Sequence, residues 1–64
     1  MADINITNNG SVFSFQPVTK AGKDWIEKNV QTEPWQWLGD TLAIESRFAG
    51  ELADGMISDG LEIE

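Results

Sequence analysis

The sequence predicts an α+β fold, a two-layer sandwich in which two helices cover one face of a four- or five-stranded, mainly antiparallel sheet. Three observations predict it: two short alternating runs flank an Asn-Gly dipeptide, another alternating run lies near the middle, and two amphipathic segments have helical periodicity. The predicted order of elements is ββα(β)βαβ. A chain of 64 residues has room for one small domain, residues 1–64.

The first two strands are predicted to form a hairpin. Residues 4–7 alternate between apolar and polar side chains, residues 11–15 do so from Phe13 onward, and Asn9-Gly10 lies between the two runs. Asn-Gly is a strong hairpin signal because both central residues of a type I′ turn need a positive φ. With this dipeptide as the loop, the large apolar side chains share one face, with Ile6 opposite Phe13 and Ile4 opposite Phe15.

A helix is predicted to follow from Lys20 to about Val30. Pro17 ends the second strand, and Thr19 is a favourable N-cap residue. The apolar side chains fall on one arc of the helix, whereas the charged ones fall on the opposite arc. The apolar arc contains Ala21, Gly22, Trp25, Ile26 and Val30.

Two interpretations are open for the segment Trp35–Leu38. In the first, it forms a hairpin with Thr41–Ile44, with Gly39-Asp40 as the two-residue loop of a type II′ turn. This register places Trp37 opposite Leu42 and Trp35 opposite Ile44. In the second, residues 35–38 form a bulged loop that carries two tryptophans, and only the strand at residues 42–44 is regular.

A second helix is predicted from Arg47 to about Asp59, with Ser46 as its N-cap and Gly60 directly after its end. Glu51 and Asp54 lie on its polar face beside two glycines. The predicted buried arc contains Phe48, Ala49, Leu52, Ala53, Met56 and Ile57. Residues 61–63 are predicted to form a short last strand.

The excess of negative charge is confined to the second half of the chain. The formal net charge is −7, and residues 33–64 hold eight acidic residues against Arg47 alone, so the first half is neutral. This surface repels nucleic acid and anionic membranes, and it suits a basic protein partner. The acidity also has a simpler interpretation, since net charge keeps a small protein in solution.

The residue types available limit the chemistry. The sequence contains neither histidine nor cysteine, which removes the usual zinc ligands and thiol or imidazole catalysis. It also contains no glycine-rich phosphate-binding motif and no EF-hand spacing. We therefore expect no enzymatic activity, no cofactor and no metal site.

Three tryptophans are many for a chain of this length. Trp25 falls on the apolar arc of the first helix and is predicted to lie in the core. Trp35 and Trp37 have two interpretations, as core residues or as contacts to a partner, because an exposed tryptophan is a typical interface anchor.

Several short segments resemble short uncharacterised proteins of bacterial and prophage genomes. They are Gly10-Ser11-Val12-Phe13, Pro17, residues 21–27, Trp35-Gln36-Trp37, residues 42–48 and Asp59-Gly60-Leu61. The resemblance spans most of the chain and implies no activity. By type, as a small acidic protein without a catalytic motif, the chain is similar to anti-CRISPR and other phage counter-defence inhibitors.

These observations predict a non-enzymatic inhibitor or adaptor that docks on a basic, nucleic-acid-binding surface of a host protein. The predicted partner-binding residues are Glu51, Asp54, Asp59, Glu62, Trp35 and Trp37. The alternative is a small homodimeric structural or adaptor domain with no foreign target, joined through residues 35–37 or the edge of the last strand. The N-terminus lacks the pattern of a signal peptide, so we expect a cytoplasmic protein.

Overall fold

A computed structural model describes residues 2–64 of the chain. Two strands and a helix come first, a single 3₁₀ turn at Pro34–Gln36 follows, and two strands and a second helix complete the order. The strands are β1 (Ile4–Asn8), β2 (Val12–Pro17), β3 (Trp37–Leu38) and β4 (Thr41–Glu45), and the helices are α1 (Lys20–Asn29) and α2 (Ser46–Ser58).

The four strands form one sheet in the order β1-β2-β4-β3, and every neighbouring pair is antiparallel. The strand β2 therefore lies inside the sheet, between β1 and β4. Phe13 pairs with Ile44 and Phe15 pairs with Leu42, so these apolar side chains share a face. The predicted α+β class is confirmed.

The register of the first hairpin differs from the prediction by two residues. Ile6 lies opposite Phe15, and Ile4 lies opposite Pro17. Among residues 2–64 only glycines have a positive φ, so the type I′ turn predicted at Asn9-Gly10 does not form.

The tip of this hairpin is instead Gly10-Ser11. Gly10 has a φ of 88°, and the Asn9 N–H donates to the Val12 carbonyl at 2.9 Å. A positive φ at the first tip residue alone is the pattern of a type II′ turn. The shift of two residues keeps each side chain on its predicted face, because the side-chain period of a strand is two.

The second hairpin forms, but its first strand is shorter than the strand at residues 35–38 in the first interpretation. Trp37 pairs with Leu42 as predicted, and Gly39 at the tip has a φ of 66°. The predicted pairing of Trp35 with Ile44 is wrong, because Trp35 lies in the 3₁₀ turn.

Local hydrogen bonds explain why the strand is cut short. The turn begins at Pro34, whose fixed φ suits the first position of a helix. The Gln36 N–H donates to the Glu33 carbonyl at 3.0 Å, and the Glu33 N–H donates to the Gln36 Oε1 at 2.8 Å. These bonds hold the chain in a turn up to the start of β3, so only two residues pair.

The helix α1 agrees with the sequence prediction to within one residue. Thr19 caps it, and the Gly22 N–H donates to the Thr19 Oγ1 at 3.1 Å. Gly22 and Ile26 are buried, whereas Ala21 is exposed although it was predicted to lie on the apolar arc. The buried arc is therefore centred between residues 22 and 26.

The start of α2 was predicted one residue too late. Ser46 is already helical, and its N–H donates to the Ser11 carbonyl at 2.9 Å, so it is not the N-cap. The C-terminus agrees with the prediction, since Gly60 has a φ of 92° and its N–H donates to the Ile57 carbonyl at 3.0 Å. Together with the bond from the Leu61 N–H to the Met56 carbonyl, this is a Schellman motif.

The predicted last strand is present only as a parallel bridge between Ile63 and Ile4. The Ile6 N–H donates to the Glu64 carbonyl at 2.7 Å, and the Glu64 N–H donates to the Ile4 carbonyl at 3.0 Å. The C-terminal segment thus takes the place of a fifth strand along the outer edge of β1.

The core lies between the sheet and the two helices. The buried side chains of β1, β2 and β4 meet Ile26 of α1 and Met56 of α2 in one cluster, so both helices lie on the same face of the sheet. Two residues of the predicted buried arc of α2 are exposed, namely Phe48 (52%) and Ile57 (59%). The helix rests on a narrower arc than predicted, centred on Ala49 and Met56. No helix within residues 2–64 is both long and apolar enough to cross a bilayer.

Candidate functional site

The outer face of α2 carries two of the predicted partner-binding acids. Glu51 and Asp54 are both exposed, and they lie three residues apart on the helix. Residues at this spacing are neighbours on a helix surface. The structure therefore brings these two carboxylates together, on the side of α2 that faces away from the core.

Arg47, the only cation in the acidic half of the chain, is directed at another acid. Its Nε lies 2.9 Å from Glu45 Oε2, and its guanidinium carbon lies 4.8 Å from the centre of the Phe48 ring. Within residues 2–64, neither Glu51 nor Asp54 forms an ion pair. The charge of the acidic pair on the outer face of α2 is thus not offset by an ion pair within the described residues.

The side chain of Asp59 forms an intramolecular hydrogen bond. The Trp25 Nε1–H donates to Asp59 Oδ2 at 2.6 Å, which joins α1 to the C-terminus of α2. A negative charge at a helix C-terminus is unfavourable, and a donor at this position offsets that cost. Asp59 was predicted as a partner contact, and one of its carboxylate oxygens already accepts this bond.

Glu62 lies on a different element from Glu51 and Asp54. Its N–H donates to Asp3 Oδ2 at 2.9 Å, and its carbonyl accepts from the Asp3 N–H at 2.8 Å. The bond from Glu62, and a second bond from the Thr19 hydroxyl, hold the pKa of the Asp3 carboxyl below its ordinary value. The predicted set of four acids is therefore split over α2, its C-cap and the C-terminal segment.

The two tryptophans with open interpretations differ in exposure. Trp35 is 77% exposed in the 3₁₀ turn. Trp37 is half-buried, packs against the core cluster, and its Nε1–H donates to Thr32 Oγ1 at 3.0 Å. Leu38, next to it at the end of β3, is 71% exposed. Trp37 thus packs against the core, whereas the side chain of Trp35 is exposed and accessible to a partner.

A groove of about 410 Å³ lies between α2, β4 and the segment that follows α1. Its apolar floor contains Val30, Ile44, Phe48 and Leu52, and Glu45 and Glu51 line its rim. Gln31 and Gln36 complete the lining. We call this site the acid-rimmed groove.

The sequence prediction missed the acid-rimmed groove because it assigned Phe48 to the buried arc of α2. The available signal was the position of Phe48 at the edge of that arc, next to Arg47. A residue at this position becomes buried only if a neighbouring element covers it, and no element within residues 2–64 buries Phe48, which is 52% exposed.

Side-chain clusters suited to a metal ion do not occur in the described part of the chain. The core also contains no buried side-chain nitrogen or oxygen without a hydrogen-bond partner among residues 2–64. The acidic residues therefore act, in this structure, as separate surface charges and as hydrogen-bond acceptors.

The chain matches no family model, and neither the curated proteins nor the solved structures contain a significant match to it. The similarity to short bacterial and prophage proteins stays a prediction from the sequence.

Proposed function

We propose that this chain is a non-enzymatic binding protein that docks its acidic half on a basic, nucleic-acid-binding surface of another protein. In this role it resembles the anti-CRISPR and related counter-defence inhibitors of phages and mobile elements, and it acts in the cytoplasm of a bacterial host. Its charge substitutes in part for the phosphates that such a surface binds.

One observation carries the proposal: Glu51 and Asp54 lie side by side on the outer face of α2, and the nearby Arg47 pairs with Glu45 instead. An acidic surface attracts a basic partner over about 8 Å at physiological salt, so adjacent charges act together. Charge complementarity of this kind raises association rates and selects basic partners over acidic ones.

Asp59 and Glu62 contribute to the field of the acidic half, but they are secondary contacts in this proposal. Asp59 accepts the Trp25 indole N–H, and the backbone of Glu62 is bonded to Asp3. A partner would reach Glu51 and Asp54 without disturbing either of these bonds. We therefore assign the main docking contacts to the outer face of α2.

Charge reversal on α2 tests the proposal. The variant Glu51→Lys/Asp54→Lys is compared with Glu27→Lys/Asp40→Lys, which makes the same change in net charge at exposed positions of α1 and the β3–β4 turn. Both are first compared as baits in a nuclease-treated bacterial lysate. The captured partner is then purified, and its affinity is measured across a series of salt concentrations.

We expect the α2 variant to bind the partner about tenfold more weakly, with a flatter salt dependence, because two surface charge contacts are lost. The matched control should lie within about twofold of the wild type. Equal losses of affinity in the two variants would mean that the net charge of the chain, and not the position of Glu51 and Asp54 on α2, determines binding. An unchanged affinity of the α2 variant would refute the proposal.

A second candidate function, a homodimer without a foreign target, is favoured by exposed apolar side chains beside β3. Trp35 and Leu38 are 77% and 71% exposed, and among the described residues β3 pairs only with β4. A small domain gains stability from association. Sedimentation over a wide range of concentrations tests this candidate: a dimer that Trp35→Ser weakens supports it, and a monomer at the highest concentration refutes it.

A further inference from the structure

We propose that the acid-rimmed groove receives a short basic segment of the partner protein, with one apolar side chain on the floor and an arginine on each side. This inference rests on the proposed function and names the contact more closely. The outer face of α2 attracts the partner, and the groove beside it recognises one segment of that partner.

The floor of the groove is suited to a large apolar side chain. Ile44 belongs to the buried core, whereas Phe48 is 52% exposed and presents part of its ring to the groove. A volume of about 410 Å³ lies within the range of pockets that bind ligands. An apolar side chain there would cover Phe48 and complete the packing that the helix leaves open.

The rim of the groove is suited to cations. Glu45, the last residue of β4 and the N-cap of α2, and Glu51 precede and follow Phe48 by three residues, so their backbones lie about 9 Å apart along the direction of the helix axis. A partner helix with an arginine, an apolar residue and a second arginine at three-residue intervals spans the same length. Such a stripe resembles the anchors by which an amphipathic helix binds in a groove.

The chain's own Arg47 shows which chemistry the rim accepts. Its guanidinium contacts the Glu45 carboxylate at 2.9 Å and lies 4.8 Å from the centre of the Phe48 ring. Exposed ion pairs of this kind contribute little to stability, so an arginine of the partner can replace Arg47. Glu51, on the other side of Phe48, has no ion-pair partner within residues 2–64.

Peptide binding tests the inference. The probe is a fluorescent, alanine-rich helical peptide that contains the sequence Arg-Ala-Ala-Leu-Ala-Ala-Arg. Two control peptides replace the leucine by serine or both arginines by glutamine. We expect the probe to bind with a micromolar Kd and to shift the amide resonances of Ile44, Phe48 and Leu52, and we expect each control peptide to bind at least about fivefold more weakly.

Three matched pairs of protein variants locate the site. Phe48→Ala and Glu51→Lys should each weaken binding of the probe at least about fivefold. Ile57→Ala and Asp40→Lys, which alter a similarly exposed apolar residue of α2 and an exposed acid of the β3–β4 turn, should change it less than about twofold. Arg47→Gln should strengthen binding by freeing Glu45, whereas Lys20→Gln, with the same change in net charge, should not.

The outcomes separate this inference from the proposed function. If the probe does not bind at millimolar concentration, or if Phe48→Ala binds it as well as the wild type, the groove is not the recognition site. The proposed function would still be supported if Glu51→Lys/Asp54→Lys weakens binding of the intact partner protein. If the probe binds as expected while the double variant leaves the whole partner unaffected, the proposed function fails and the peptide site remains.

Discussion

The backbone carbonyl oxygen of Asp3 lies where a side chain on Gly22 would begin. A Cβ built on Gly22 would be 2.6 Å from that oxygen and 3.0 Å from Ile4 Cδ1. The carbonyl cannot move away easily, because it accepts the Val18 N–H at 2.9 Å. The close approach of α1 to the N-terminal segment therefore requires glycine at this position.

Gly22→Ala should lower the free energy of unfolding by about 1–2 kcal/mol. The overlap with a fixed backbone atom is a case of overpacking, and it outweighs the gain of about 1 kcal/mol in helix propensity. Urea denaturation followed by tryptophan fluorescence measures the change. A Gly22→Ala variant as stable as the wild type would show that separating the two segments costs no more than the gain in helix propensity.

Gly50→Ala should have the opposite effect. Gly50 is also helical, but a Cβ built on it has no neighbour within 4 Å in the described structure. The substitution should therefore raise the free energy of unfolding by about 0.5–1 kcal/mol through helix propensity alone. The same denaturation experiment serves both variants, and a loss of stability here would contradict the open environment of this residue.

Asp3→Asn should change how stability depends on pH. The Glu62 N–H and the Thr19 hydroxyl both donate to the ionised carboxylate and lower its pKa from the ordinary value of 3.8. Because the pKa is lower in the folded state, this stabilisation is present above the unfolded-state value. It is lost as the pH falls through the folded-state value.

The measurement is the unfolding midpoint in urea at a series of pH values. We expect the Asp3→Asn variant to be less stable than the wild type above about pH 5, and we expect the difference to shrink as the pH falls below about 3.8. Asp40→Asn, at the β3–β4 turn, is the matched control and should follow the wild type. A difference that stays constant down to low pH would show that the charge of Asp3 is not responsible.

Much of the fold could be predicted because the decisive patterns are local. The alternation of Ile4, Ile6, Phe13 and Phe15 determines which face they occupy, and a register shift of two residues leaves that face unchanged. The turn type does not follow from the sequence, because Gly10 supplies a positive φ for a hairpin tip at Asn9-Gly10 as well as for one at Gly10-Ser11.

In the candidate site, the common face of Glu51 and Asp54 could be predicted, because it follows from helical spacing alone. The features that could not be predicted depend on contacts between distant elements. The bond between Trp25 and Asp59 joins residues 34 positions apart, and no local pattern indicates it. The exposure of Phe48 likewise depends on where the segment after α1 runs, and a helical wheel does not contain that information.

Trp35→Ala and Trp37→Ala should differ strongly in stability. Trp35 is 77% exposed, so its removal should change the free energy of unfolding by no more than about 0.5 kcal/mol. Trp37 packs on the core and bonds to Thr32, and its removal should cost about 3 kcal/mol. Denaturation followed by circular dichroism avoids the altered fluorescence. Equal losses would show that Trp35 is covered in solution, as the homodimer requires.

The bond between Trp25 and Asp59 should contribute about 1 kcal/mol to folding, because it joins an indole donor to a carboxylate at 2.6 Å in an exposed setting. A double-mutant cycle with Trp25→Phe and Asp59→Ala measures this coupling. Replacing Trp25→Phe by Trp37→Phe gives the control cycle, in which the effects should add to within about 0.5 kcal/mol. A coupling near zero in the first cycle would mean that Asp59 is free for other contacts. With the expected coupling, Asp59→Ala should weaken the fold more than Glu51→Lys does, and it should affect partner binding less.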